Sequence, residues 1–315
     1  MSVCEIRIPT YKRPAWLKRA LNSLIVQDFS DWRAIVMDDS PDCEAKDVVF
    51  GLRDNRIIYW QNPHRLGGAA NLDRAFQSKS FLGSTWACAL EDDNWLMPSF
   101  LRKNIRALDT HRVGLILRNQ TIHVQEKNGS AVTTRTTRGE WFTERQYDPI
   151  ELHAHLFFFE GVSNGGLFWD TSIPSNLYVG PSVNDSGLQE YCRTLQIREA
   201  VYFKAEPLCV WSEMSPELIF RSSISTRSVT RGLQSLIQYL IRKYNKEIIE
   251  LAKTLSSRLL LEERFEMSLL DALYTDYDFQ AITKVQALKR YLRSYAKFKC
   301  IADPLSDYFS VLDGA

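Results

Sequence analysis

Apolar and polar positions alternate along Glu5-Ile6-Arg7-Ile8 with the period of a strand, and Pro9-Thr10 halts the run. After Pro14 the apolar positions Trp16, Leu17, Ala20, Leu21, Leu24 and Ile25 recur at helical spacing, so a strand enters a helix. Arg33-Ala34-Ile35-Val36-Met37 predicts a second strand, ended by the turn chemistry of Asp38-Asp39-Ser40-Pro41-Asp42. Arg56-Ile57-Ile58-Tyr59-Trp60 predicts a third. Asn62-Pro63 and Gly67-Gly68 then mark a loop before a helix through Ala70, Leu72, Ala75 and Phe76. Thr85-Trp86-Ala87-Cys88-Ala89-Leu90 predicts a fourth strand, which stops at Glu91-Asp92-Asp93-Asn94. This alternation predicts an α/β fold of right-handed β-α-β units, with a doubly wound, mainly parallel sheet.

From about 113 to 212 the pattern is mixed. It holds a strand at Val113-Gly114-Leu115-Ile116-Leu117, polar hairpin material around Lys127-Asn128-Gly129, and an aromatic stretch with Gly161, Gly165 and Gly166. Beyond Pro216 the chain reads helical almost to its end, with an apolar stripe at Leu233, Ile237, Leu240, Ile241, Tyr244 and Ile248. Residues 217–300 carry fifteen Lys/Arg against nine Asp/Glu, the mark of a solvated helical face, with a membrane-surface or partner-binding face as the alternative.

Composition narrows the choice of function. Of 315 residues, 45% are hydrophobic and 12% aromatic, which suits a packed globular protein rather than a disordered one. A formal net charge of +1 supplies no field for gripping a nucleic-acid backbone, so no nucleic-acid partner is expected. The longest apolar runs, such as Leu156-Phe157-Phe158-Phe159, fall far short of the ~20 residues that span a bilayer. Met1-Ser2-Val3-Cys4-Glu5 leads directly into a strand pattern without a secretory signal, and the expected location is cytoplasmic, with peripheral membrane contact as an option. Six scattered cysteines with no Cys-x-x-Cys predict reduced, mostly buried thiols.

Both acidic clusters fall at the carboxyl ends of predicted strands, where open α/β sheets bind their ligands. Turn preference alone would also place Asp there. A strand ending in adjacent carboxylates suits a divalent cation that in turn holds a diphosphate, because such an ion takes one or two protein carboxylates and otherwise keeps water. The structural alternative for Asp93 or Asn94 is the cap of a helix through Met97-Pro98-Ser99-Phe100-Leu101. His153 and His155, two apart before a run of aromatics, suit packing in a strand better than a metal pair. Trp141, Trp169 and Trp211 have faces that suit sugar rings, with core packing as the default.

Three segments together carry a family resemblance: Ile6-Arg7-Ile8-Pro9-Thr10-Tyr11-Lys12-Arg13-Pro14 with Leu21 to Gln27, then Val36-Met37-Asp38-Asp39-Ser40, then Glu91-Asp92-Asp93-Asn94-Trp95-Leu96-Met97-Pro98. In order and spacing they resemble the family 2 nucleotide-sugar glycosyltransferases of GT-A fold. The likeness is strongest to those of bacterial spore-coat polysaccharide synthesis, over Gln27 to Asp39 and Asp92 to His111. It covers roughly residues 3–112, continues loosely to about 212, and says nothing of the helical tail. It implies a nucleotide-sugar-binding half over 1–112, an acceptor-side half over 113–215 and a helical extension over 216–315.

The resemblance implies that Pro9, Thr10 and Tyr11 lie beside the nucleotide base and that Asp39 hydrogen-bonds it. It puts Asp92 near the ribose or metal, and Asp93 as the direct ligand of Mn2+ or Mg2+ on the donor diphosphate. Glu91 stands at the first position of the DXD motif, a departure from the family. Arg65 and Asn71 fall where the family contacts donor groups. The general base for an inverting displacement falls at Asp185, with Glu190 as the alternative. Relatives place a histidine near Val210 to Met214; none is present here, and Glu213 is a weak substitute.

The implied function is metal-dependent, inverting transfer of a sugar from a nucleotide-diphosphate donor of UDP, dTDP or GDP type to a carbohydrate or lipid-linked acceptor, in cell-surface polysaccharide assembly. A homodimer or membrane contact through the C-terminal helices is the expected partner role of the tail. A sugar-nucleotide pyrophosphorylase ranks low, because Pro9 to Pro14 contains no glycine for a phosphate loop. A catalytically silent nucleotide-sugar or glycan-binding module is the second alternative.

Overall fold

The computed structural model describes residues 3–126, 129–214, 223–258 and 301–314. Two compact units divide the chain: unit 1 takes in residues 1–149, 162–180 and 192–219, and unit 2 takes in 150–161, 181–191 and 220–315.

Unit 1 is built on a ten-stranded mixed sheet. Its first half follows the predicted alternation: β1 (Cys4–Thr10), α1 (Pro14–Ile25), β2 (Trp32–Asp38), α2 (Glu44–Leu52), β3 (Ile57–Gln61), α3 (Gly68–Ala75) and β4 (Trp86–Ala89). Strands β1 to β4 pair in parallel in the order β3-β2-β1-β4, which places their carboxyl ends on one edge.

Strand β1 runs two residues further than its alternation predicts, through Pro9 and Thr10. The hydrogen-bond parity explains why proline is tolerated. Arg7 O accepts from Leu90 N on the β4 side, whereas Thr10 O accepts from Asp39 N on the β2 side. Pro9 therefore faces the β4 side, beyond the last β1–β4 pair, Arg7 with Ala89, where no ladder donor is required.

The second half of unit 1 adds β5 (Trp95–Leu96), α4 (Phe100–His111), β6 (Leu115–Glu126), β7 (Gly129–Thr136), β8 (Gln146–Tyr147), β9 (Leu167–Asp170) and β10 (Val201–Met214). Antiparallel β9 inserts between β4 and β6, and β10 pairs in parallel with β6. Interior positions of β1, β2 and β9 form the core of the sheet: Ile6, Ile8, Ala34, Val36, Phe168 and Trp169 are all fully buried. Trp169 stacks on Phe76 and donates its indole N–H to Ser78 O at 3.1 Å, so it is a core residue rather than a sugar platform.

Unit 2 contains α5 (Pro149–His155) from its second residue on, part of α6 (Ser186–Gln196), the helical run α7 (Ser223–Arg258) and a last helix, Ser306–Gly314. Ile237, Leu240 and Ile248 of the predicted stripe are fully buried, Leu233 nearly so, and Ile241 and Tyr244 half-buried. Asn245 breaks the run, at φ 54 and ψ −145. Tyr239 stacks on Phe309 with ring centroids 4.4 Å apart. A Cβ at Gly232 would lie 2.7 Å from Leu188 Cδ1, so any larger residue there needs that leucine to shift.

His153 and His155 lie on a helix, not on the strand expected of them. Pro149 opens that helix, a position where its missing N–H costs nothing. His153 Nδ1 lies 2.8 Å from Tyr244 Oη, and His155 Nδ1 lies 2.8 Å from Glu151 O. Lys127, Asn128, Cys300, residues 215–222 and the expected helical stretch across 259–300 lie outside the described residues. Among the described residues the other five cysteines are free thiols, and all but Cys43 are buried. No helix among the described residues is long and apolar enough to cross a membrane.

Candidate active site

The carboxyl edge of β1, β2 and β4 gathers the sequence-predicted residues of unit 1. Asp38 and Asp39 end β2 and do different work. Asp38 is fully buried; its Oδ1 accepts from Ser40 N at 2.9 Å and its Oδ2 from the Tyr59 hydroxyl at 3.0 Å. Asp39 Oδ1 accepts from Asn62 Nδ2 at 2.9 Å and Leu66 N at 2.7 Å, and Oδ2 accepts from Gly67 N at 2.9 Å. Three of the roughly four lone-pair sites of this carboxylate hold the loop into α3. Gly67 is needed there, because its φ of 87 strains any side-chain-bearing residue.

Asn71 is tied to the same loop. Its Oδ1 accepts from Asn62 Nδ2 at 3.0 Å and its Nδ2 donates to Met37 O at 2.9 Å, with the side chain buried. Arg65 lies on the surface, its guanidinium carbon 4.7 Å from the centre of the Tyr11 ring. Tyr11 is half-buried, so the two form an exposed cation–π pair at the mouth of the edge. Between Tyr11 and α1 the chain takes a left-handed turn at Lys12, φ 54, and Lys12 N donates to Ser40 Oγ at 2.8 Å.

The second acidic cluster follows β4. Thr10 Oγ1 donates to Asp92 Oδ2 at 2.7 Å, joining the end of β1 to the end of β4. Arg13 Nη1 donates to Asp92 Oδ1 at 3.2 Å and to Asp93 Oδ2 at 2.9 Å, one nitrogen serving two carboxylates. The backbone is fixed from the other side. Asp93 O accepts from Arg19 and from the Ser212 hydroxyl, and Asn94 Oδ1 accepts from Ser212 N at 2.7 Å. Arg19 is packed over the Trp95 ring at 4.2 Å. Glu91 accepts from Asn94 Nδ2 at 3.4 Å, a supporting position behind the pair. Neither Asp93 nor Asn94 caps the next helix: β5 intervenes and Ser99 takes the cap position of α4.

Burial pushes the Asp92 carboxyl up to about 6, and the neighbouring Asp93 adds to the shift, against the pull of Thr10 and Arg13. Burial raises Asp93 as well, opposed chiefly by Arg13. The sign for folding follows from linkage. An unfolded Asp titrates near 3.9, so between about pH 4 and pH 6 the folded protein holds more protons and loses stability as pH rises. Asp92→Asn should flatten that slope, leaving only the share of Asp93, and stabilise the protein at pH 7 by roughly 1–3 kcal/mol. Urea midpoints of both proteins at pH 4.5 and 7 check this; a slope unchanged by the substitution counts against a strained carboxylate.

These residues fit a divalent cation. They supply hard oxygen donors in a pair whose charge needs compensation, and an ion bridging to a diphosphate uses only one or two protein carboxylates. Among the described residues no group of three or more His, Cys, Asp or Glu forms a cage, so the protein here offers a partial shell.

Asp185 and Glu190 belong to unit 2. Asp185 is the N-cap of α6: its Oδ1 accepts from Leu188 N at 3.0 Å, and its O from Gln189 N at 2.9 Å. Glu190 lies in the next turn, half-buried.

Sequence reasoning missed Arg13, Arg19 and Ser212 as members of the acidic site. Arg13, Trp16 and Arg19 recur every three residues, a helical-face spacing that carries two cations toward one side; Ser212 carried no signal.

Comparisons with known proteins bear on the family and the fold. The chain is similar to the GalNAc(5)-diNAcBac-PP-undecaprenol beta-1,3-glucosyltransferase of Campylobacter jejuni, at 31% identity over 104 residues, 32% of this chain and 33% of that protein. The match thus spans about a third of that relative's length. Among solved structures, TarS of S. aureus, residues 1–349, superposes with a TM-score of 0.56 in its complex with UDP-GlcNAc, at 15% identity over 86% of this chain and 79% of that one. Its UDP complex gives 0.56, at 17% identity over 94% and 90%. That likeness shows the fold. The family model described as Glycosyl transferase family 2 matches residues 5–163, half of the sequence and both acidic clusters of the edge, and the chain belongs to that family.

Proposed function

We propose that the protein transfers a sugar from a nucleoside-diphosphate donor, with inversion, to a carbohydrate or lipid-linked acceptor in cell-surface polysaccharide assembly. The observation that carries the reading is the Asp92–Asp93 pair at the carboxyl end of β4, Asp92 buried and Asp93 partly exposed, joined by Thr10 to the end of β1 on the ligand edge of a parallel sheet. The Campylobacter relative is named for a lipid-pyrophosphate acceptor and TarS was solved with UDP-GlcNAc and UDP, which makes UDP the first nucleotide to test.

In this reading Tyr11 and Pro9 border the base. Asp39, anchored by three donors, retains one acceptor site for it. Asp92 meets the ribose, and Arg65 and Asn71 stand on the donor side. Asp93 would hold Mn2+ or Mg2+ on the donor diphosphate. When bound, the ion would supply Lewis-acid stabilisation of the departing diphosphate. The acceptor hydroxyl oxygen forms the new bond to the anomeric carbon as the bond to the diphosphate breaks, and its proton passes to a carboxylate. That carboxylate is Asp185, with Glu190 second, an assignment that rests on the family pattern alone. The boundaries 1–112, 113–215 and 216–315 remain our functional division of the chain, and we place the protein in the cytoplasm, against the membrane when it meets a lipid-linked acceptor.

Calorimetric titration with UDP, with and without Mn2+, tests the donor site. Asp93→Ala should abolish the metal-dependent part of binding and leave the thermal midpoint nearly unchanged, because a half-exposed ligand carboxylate contributes to the site more than to the core. Metal-dependent binding that survives in Asp93→Ala removes Asp93 from the metal role.

A further inference from the structure

Arg13 stands immediately before α1 and reaches both carboxylates of the acidic pair with one nitrogen, at 3.2 Å and 2.9 Å. Its position differs from that of Arg19 in a way that matters. Of the acidic pair, Arg19 reaches the backbone oxygen of Asp93 and neither carboxylate; it also donates to Ser212 Oγ and is held over Trp95 and Trp16. Arg13 has 44% of its side chain exposed, against 6% for Asp92 and 19% for Asp93, and among the described residues its other side-chain partner is the Trp16 ring at 5.4 Å. It is therefore a cation at the mouth of the pair, reachable from solvent and lightly held.

A guanidinium keeps its charge at any working pH, so it can yield its place only by moving. A divalent ion entering the pair would meet that fixed positive charge at contact distance, where like charges repel. A nucleoside diphosphate changes the balance, because its phosphate oxygens offer the planar fork a second, well-matched anion.

We propose that Arg13 is the resident counter-cation of Asp92 and Asp93, that it competes with the divalent ion for them, and that it gives them up when a nucleoside diphosphate arrives to pair with it. Arg13 thereby orders binding, with metal and donor entering together. The inference rests on the reading of Asp92 and Asp93 as the cation and diphosphate site, and it adds a positioning residue to that site.

The test is Mn2+ binding followed by electron paramagnetic resonance, on the full chain and on Arg13→Ala, Arg13→Lys and Asp93→Ala, each with and without UDP. Without UDP, Arg13→Ala should bind Mn2+ about tenfold more tightly than the wild type, a change of ~1.4 kcal/mol. Arg13→Lys, which keeps the charge, should stay close to the wild type. With saturating UDP the advantage of Arg13→Ala should vanish or reverse, because the diphosphate has lost its guanidinium partner. A merely structural role would not raise an affinity. Arg13→Ala binding Mn2+ no more tightly than the wild type without UDP, including no detectable binding by either, overturns the proposal. Asp93→Ala binding Mn2+ as the wild type does would instead overturn the cation-site reading beneath it.

Discussion

Asp73→Ala is expected to destabilise unit 1 by about 3–5 kcal/mol, the usual cost of breaking a buried ion pair from one side. Asp73 and Arg193 are both about 1% exposed and meet at 2.9 Å. Asp73 also accepts from Val179 N at 3.0 Å and Gly180 N at 2.8 Å, holding a loop that has no regular secondary structure of its own. Truncation therefore strands a buried guanidinium charge and two backbone donors together. Arg193 keeps its bonds to Leu177 O and Asn164 Oδ1 and its place over the Phe76 ring, which limits but does not remove the loss. Asp73→Asn, which keeps an acceptor and loses the charge, should fall between. All eight tryptophans belong to unit 1, so urea unfolding followed by tryptophan fluorescence reports on this unit alone. A loss under ~1 kcal/mol in Asp73→Ala would mean that the pair contributes no more than an exposed one.

The largest kinetic effect is expected at the proposed base. Asp185→Asn should lower turnover by about 10²–10⁴-fold, the range of general base catalysis, with UDP binding unchanged. The choice of asparagine matters because Asp185 caps α6 through Leu188 N. Asparagine caps as well as aspartate, whereas alanine would cost the helix ~1 kcal/mol and confuse a lost base with a frayed helix. Glu190→Gln is measured beside it, as transfer to an acceptor rather than donor hydrolysis, since water can be activated differently from a sugar hydroxyl. Loss in Glu190→Gln with activity kept in Asp185→Asn moves the base by one helical turn and leaves the family reading intact. Full transfer by both variants would remove this segment from the mechanism.

The elements that periodicity found and those it missed differ in one physical respect. Strands β1 to β4 and helices α1 and α3 carry local signals: alternating or helically spaced apolar residues, closed by Pro, Gly or Asp at their ends. Strand β9 carries none, because Leu167, Phe168 and Trp169 are all fully buried and an apolar run buried on both faces shows no alternation. Helix α2 was missed because its buried residues reduce to Ala45 and Val49. His153 and His155 misled because a two-residue spacing is strand-like only when the residues around it extend as a strand, and Pro149 opens a helix instead.

The chain's own order of apolar runs and turn residues determined the β-α-β architecture and put Asp39 and the Asp92–Asp93 pair at strand ends, since each such feature depends only on neighbours in sequence. What those carboxylates do was decided by tertiary structure. The amides that Asp39 accepts from are 27 and 28 residues away, and the guanidinium that joins Asp92 to Asp93 comes from 79 and 80 residues upstream. Burial, which raises the Asp92 carboxyl to about 6, likewise exists only once β4 lies inside the sheet. Charge compensation and desolvation act through space, and only the folded chain brings their partners together.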